Sequence, residues 1–179
     1  MIDPIDLRSL TRRDLLAAGA ATGTAFVIGT SFIAHATEAW AIETKALSPS
    51  TMATLVQMAR DIYPHDRIAD QYYAIAVKGH DDAAAEDAAK KQMIEGGVAV
   101  LDGLAVAAGN ASYVATGWEA DRIALLQQIQ NGPFFQAVRG GLVVGLYNQK
   151  EVWPIFGYEG ESFSKGGYIN RGFDDIAWL

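Results

Sequence analysis

Ser48-Pro49-Ser50-Thr51-Met52-Ala53-Thr54-Leu55-Val56-Gln57-Met58-Ala59-Arg60-Asp61-Ile62-Tyr63-Pro64 is the stretch from which the fold can be read. Serine is a good helix N-cap, and proline suits the first helical position, where its missing N–H costs nothing. Met52, Leu55, Val56, Ala59 and Ile62 recur at helical spacing and give one apolar face, and Pro64 stops the run. A second helix is expected from near Asp66, with Ile68, Tyr72, Ile75 and Ala76 inward. Gly79-His80-Asp81-Asp82 should break it, leaving Asp81 or Asp82 to cap the next helix.

From Ala83 the chain is alanine-rich and charged, then apolar through Met93, Ile94, Val98, Leu101 and Leu104. Glu86 with Lys90 and Asp87 with Lys91 have the i,i+4 spacing of an exposed helical face. Gly96-Gly97 and Gly103 predict a bend or a close crossing, hence two packed helical pieces with no site between them. Gly109-Asn110 is a suitable helix end. Thr116-Gly117-Trp118-Glu119 has the form of a capping box for a helix with Ile123, Leu126 and Ile129 inward. Asn131-Gly132-Pro133 ends that helix and starts another, striped by Phe134, Phe135, Val138, Leu142 and Leu146. Gly140, Gly141 and Gly145 leave its surface flat enough for a second backbone to lie close. No alternating strand pattern of useful length is present. The fold class is all-α, a small bundle of five or six helices over residues 42–152, with Ile42 to Leu47 as an entry linker.

Upstream, Arg12-Arg13 stand directly before an uncharged run from Leu15 to Thr37. Small-x-small sequences follow at Ala34-His35-Ala36 and Ala39-Trp40-Ala41. A charged region, an apolar region and a cleavage motif are the parts of an export signal, and the paired arginines point to the twin-arginine translocase. Residues 1–41 are therefore expected to be an export signal, cleaved after Ala41 or Ala36 or retained as an anchor, and the protein to be periplasmic. Retention, or the complex itself, would associate it with the membrane.

Beyond Ala41, seventeen Asp and Glu face eleven Lys and Arg, without a basic cluster, so nucleic acid is not an expected partner. The chain has no cysteine, which excludes a disulfide framework, a Cys-x-x-Cys-His haem motif and a thiolate-bound cluster on it. His65 and His80 are the histidines outside the signal, at no common metal spacing. His65 with Asp61 or Asp66 is a conceivable acid–base pair, although a lone histidine in a turn is more often simply polar.

Residues 153–179 change character. Trp153, Phe156, Tyr158, Phe163, Tyr168, Phe173 and Trp178 alternate with five glycines, with no helical or strand period. Glycine at that density opposes regular structure, and aromatics at that density are costly to leave in water. This segment, with Arg171, is expected to be an irregular tail that packs on its own bundle or anchors a partner. No motif for a catalytic, cofactor or metal site is present. A folded-export signal on such a chain is explained economically if it escorts a cofactor-loaded partner that has none.

Several stretches resemble the gluconate 2-dehydrogenase subunit 3 family. They are Thr11-Arg12-Arg13, Ala59-Arg60-Asp61-Ile62-Tyr63-Pro64-His65-Asp66, Gly132-Pro133-Phe134-Phe135 leading to Gly145-Leu146-Tyr147, Trp153-Pro154-Ile155-Phe156-Gly157-Tyr158-Glu159-Gly160, and Gly166-Gly167-Tyr168. The resemblance spans roughly Ser48 to Tyr168 and most of the signal, and Trp153 to Tyr168 is its most specific part. It implies an accessory small subunit with no catalytic residues and no cofactor of its own. FAD would sit on a glucose-methanol-choline-type large subunit that oxidises a sugar or polyol hydroxyl, as in glucoside 3-dehydrogenases. Electrons would pass to a cytochrome c subunit or the quinone pool. The small subunit would supply export, maturation and stabilisation.

Overall fold

Ser48 caps α1 (Pro49–Ile62) as its sequence requires, its Oγ accepting the Thr51 N–H at 3.0 Å. The computed structural model describes residues 26–28, 32–35, 40–170 and 173. α1 does more than present one apolar face. Thr51 to Val56, Met58, Ala59 and Asp61 are all buried, because α1 contacts each of the other four helices and also β1 (Phe26–Ile28) and β2 (Phe32–His35). It is the central rod of the bundle. The two strands and β3 (Trp40–Glu43) form an antiparallel sheet in the order β1-β2-β3, with Val27 opposite Ile33 and Ala34 opposite Ala41. Part of the run assigned to the signal and the start of the expected linker are thus short strands. Phe, Val and Ile suit a pleated surface, and pieces of three or four residues are too short to show a period.

The turn after α1 is longer than expected, and α2 (Asp70–Glu86) begins four residues beyond Asp66. Ile68 is buried there, and Arg60 fixes the turn by donating to the Ile68 carbonyl at 3.0 Å and to Asp70 at 2.7 Å. α2 then runs unbroken through Gly79-His80-Asp81-Asp82, where a break was expected. Neither aspartate caps a helix, and Asp81 is wholly buried inside α2. The junction falls at Asp87, whose Oδ1 accepts the N–H groups of Ala89 (2.8 Å) and Lys90 (3.4 Å) at the start of α3 (Ala88–Ala107). Glu86 therefore belongs to α2 and Asp87 is a cap, so the expected i,i+4 pairs do not share one helix.

Glycine does not interrupt α3, which is one helix and not two pieces. The expected close crossing is real at Gly97, where a Cβ would stand 2.1 Å from the Phe134 ring, while Gly96 and Gly103 meet nothing. α3 ends as its sequence indicates: Gly109 is left-handed (φ 90°) and Asn110 donates to the Ala105 carbonyl at 2.9 Å. The capping box does not form. Trp118 occupies the N-cap of α4 (Glu119–Ile129) without a side-chain bond, and the buried Thr116 instead donates its hydroxyl to the Ser112 carbonyl at 3.1 Å. α5 (Pro133–Tyr147) starts at its proline and buries Phe134, Val138, Leu142 and Leu146.

Five helices make the bundle among the described residues, and the fold is the expected small all-α bundle. α2 and α5 cross most closely. Gly145 faces Ala76 and Gly141 faces His80, one turn apart on each helix, so the two run antiparallel. A Cβ at Gly145 would lie 2.8 Å from the Ala76 carbonyl oxygen, a backbone atom that cannot step aside. Gly145→Ala is accordingly expected to destabilise the bundle by about 1–3 kcal/mol through overpacking. Gly140→Ala, in a helix interior with nothing within 4 Å, should stabilise it by up to about 1 kcal/mol. Urea denaturation of the two variants checks the contrast in sign.

Candidate functional site

The C-terminal segment leaves α5 through a fixed corner. Gln149 donates to the carbonyls of Tyr72 (2.8 Å) and Gly145 (2.7 Å), and Val152 is buried in the core. Trp153 then opens a 3-10 turn (Trp153–Phe156), and its indole N–H donates to the Tyr147 carbonyl at 2.8 Å. Left-handed Gly157 (φ 74°) closes the turn, and the Tyr158 ring meets Trp153 edge to face at 5.1 Å. Phe156 packs against His65 (5.2 Å) and Tyr147 (5.7 Å). The tail therefore has a docked half.

Beyond Gly160 that docking stops. A second 3-10 turn, Phe163–Lys165, ends at left-handed Gly166 and Gly167, and Lys165 pairs with Glu159 at 3.0 Å. Phe163 is 92% exposed, Tyr168 64% and Phe173 76%. Of the residues expected at an interface, Trp153 is held by the bundle, Phe156 is half-exposed against His65 and Tyr147, Tyr158 is half-exposed against Trp153, and Phe163, Tyr168 and Phe173 stand in solvent. Arg171 and Trp178 lie outside the described residues, as do Arg12, Arg13 and Ala36. Ala41 lies in β3. Trp118, 78% exposed at the start of α4, is a further bare aromatic that sequence reasoning assigned only to a cap.

His65 is built into the base of the tail. Its Nε2 is 2.7 Å from the Tyr147 hydroxyl, and its ring is edge-on to Tyr147 and Phe156. Burial, with Tyr63 beside it, raises the Tyr147 pKa. Asp61 is not a partner for His65. Its carboxylate accepts Nε–H (2.7 Å) and Nη2–H (2.9 Å) of Arg122, the Tyr113 hydroxyl (2.5 Å) and Gln57 (3.2 Å). The hydrogen bonds from Arg122 to that carboxylate raise the guanidinium pKa, while burial and the adjacent carboxylate push the Tyr113 phenol strongly up. Both Asp61 oxygens, which could have served as a base, are occupied by donors.

A second carboxylate closes the other end of α1. Asp81 Oδ1 accepts the N–H groups of Ala46 (2.9 Å) and Leu47 (2.8 Å), and its Oδ2 that of Lys45 (2.8 Å). Glu95 accepts the Ser48 N–H at 2.8 Å and the Thr51 hydroxyl. Burial alone would raise the Asp81 pKa, but three backbone donors, helped by Lys78, hold it below the usual carboxylate value. Apart from Gln57 with Asp61, nothing local in the sequence marks these pairs, because their members are 34 to 61 residues apart.

Hollows open on the surface of the described residues, and three of them bear on the site. One of about 440 Å³ lies beside Trp153, Tyr158 and Lys150, and one of about 200 Å³ adjoins Asp61 and Arg139. The third, about 470 Å³, is an open apolar groove between α3 and the start of α5, lined by Met93, Gly96, Val100 and Phe134. Among the described residues no three His, Asp or Glu side chains gather in a way that could hold a metal, and no helix is long and apolar enough to cross a membrane.

Removing Asp61 leaves the buried Tyr113 phenol without its acceptor and the partly buried Arg122 guanidinium without its counter-charge. Asp61→Ala is expected to cost roughly 3–5 kcal/mol, read as a fall in the urea midpoint. Asp81 acts through pH. Its folded pKa lies below the unfolded value of about 3.9, so its contribution is complete above that value and disappears as pH falls through the folded pKa. Asp81→Asn should therefore flatten the acid limb of the stability–pH curve and leave its alkaline limb unchanged. No protein-family model, curated protein or solved structure matches this chain.

Proposed function

We propose that the chain is a non-catalytic small subunit of a periplasmic FAD-dependent dehydrogenase acting on a sugar or alcohol hydroxyl. In this reading it supplies twin-arginine export through Arg12 and Arg13, and it matures and stabilises a flavin-bearing large subunit of the glucose-methanol-choline type. A cytochrome c subunit would be a third member. The observation that carries the reading is the outer half of the tail. Phe163, Tyr168 and Phe173 are bare on a chain whose buried carboxylates are otherwise satisfied internally, and such a surface favours a protein partner. The resemblance of Trp153 to Tyr168 to the small-subunit family supplies the identity of that partner.

Gentle purification of the chain from its native host, followed by a visible spectrum, tests the reading. Flavin bands and a co-eluting chain several times larger are expected, with a dye-reduction screen over sugars then reporting the substrate. Replacing Arg12 and Arg13 with lysine should leave the flavoprotein in the cytoplasm; its normal export would end the escort idea. A second reading, a free-standing periplasmic ligand-binding protein, draws on the apolar groove at Met93, Gly96 and Phe134. It requires a colourless, solitary, folded protein.

A further inference from the structure

The docked half of the tail encloses the hollow of about 440 Å³, and its walls combine rings with charge. Two rings meet there at a corner. Tyr158 stands edge-on to Trp153, with 5.1 Å between centroids and 71° between planes. Trp153 is a fixed wall, because its indole N–H is spent on the Tyr147 carbonyl at 2.8 Å. Gly160 passes the indole with a left-handed φ of 94°, and a Cβ there would rest 3.4 Å from Trp153 Cζ3. The chain thus turns past the ring without laying a side chain on it.

Lys150, Lys165 and Glu159 supply the charge of this hollow. Lys165 donates to Glu159 at 3.0 Å, so those two charges cancel. Lys150 has its Nζ 5.8 Å from the Trp153 ring centroid, and among the described residues no carboxylate pairs with it. An indole face attracts an ammonium but does not neutralise it. The hollow is therefore left one charge positive, on a chain whose formal net charge is −7. The geometry points to a binding site for a small organic monocarboxylate carried on a flat ring, with its carboxylate on the Lys150 ammonium and its ring in the corner of Trp153 and Tyr158. The volume lies within the range of about 300–1,000 Å³ usual for small-molecule sites. One unbalanced ammonium matches one negative charge, so a dianion is poorly balanced and a neutral ring leaves Lys150 unpaired. Aromatic acids and pyranose sugar acids share the required chemistry, an apolar ring face beside a single carboxylate. The site is built from this chain alone, and it goes beyond the accessory-subunit reading without resting on it.

Titration of the full chain with sodium benzoate and with sodium glucuronate tests the site, followed through the N–H resonances of the Trp153 indole and the Gly157 backbone. One acid or both should move these signals, with a Kd of about 1 mM for so open a site. A response to benzoate alone identifies an aromatic acid as the ligand, and a response to glucuronate alone a sugar acid. Lys150→Gln should weaken binding by about tenfold or more, and Lys150→Arg should retain it. Because Lys150 is exposed, Lys150→Gln should leave the urea midpoint unchanged. Acetate lacks the ring, benzyl alcohol the charge, and inorganic phosphate both the ring and the single charge. Each should bind about tenfold more weakly than the ringed acid. Any of the three binding as tightly overturns the proposal. So does a titration that moves neither resonance, or an affinity that Lys150→Gln leaves intact.

Discussion

The carboxylate of Asp61 is the constraint around which this bundle is arranged. α1 is enclosed by four helices and two strands, so any polar group on it must find its donors inside the protein. Asp61 finds them on Arg122 of α4, on Tyr113 of the preceding loop and on Gln57 of its own helix. Bringing an ion pair into such a site carries a desolvation cost, and the pair adds less net stability than its short distances suggest. Its effect is on specificity. Once Asp61 is buried, α4 and the loop before it have one arrangement that leaves no charge unpaired.

The same requirement fixes both ends of α1. At its start, Asp81 and Glu95 gather the backbone N–H groups of residues 45–48, groups that a helix entry would otherwise leave without partners. At its end, Tyr73 donates to the Tyr63 carbonyl at 2.6 Å, and burial pushes its phenol up to about 12, so it remains a donor at any ordinary pH. Arg60 lies over the Tyr73 ring and holds the following turn. Beside this corner, His65 and Tyr147 form the surface on which Phe156 rests. The tail thus starts from a base packed on the bundle.

Local chemistry made much of this legible in the sequence. Ser48-Pro49, Pro64, Gly109-Asn110 and Gly132-Pro133 mark helix limits with residues that act within one turn, and all four hold. Gly145 was readable as a close-approach position because a bare backbone on an apolar helix has few other uses. The errors share a cause. Gly79-His80-Asp81-Asp82 has the composition of a break, yet it remains helical because the Asp81 carboxylate is consumed by a stretch of chain 34 to 36 residues earlier. Gly96-Gly97 looks like a bend and is instead a seat for Phe134. Thr116 looks like a cap and is instead a buried brace.

The sequence by itself determined the helical class, the helix limits marked by proline, glycine or a serine cap, and the existence of an aromatic, glycine-rich terminal segment, because capping, proline geometry and apolar period are properties of near neighbours. Tertiary structure alone decided which helix is central, which carboxylates are structural and where the tail ceases to be docked. Those outcomes depend on donors and rings brought together across as many as 82 residues, as for His65 and Tyr147. No window of sequence contains both partners of such a contact.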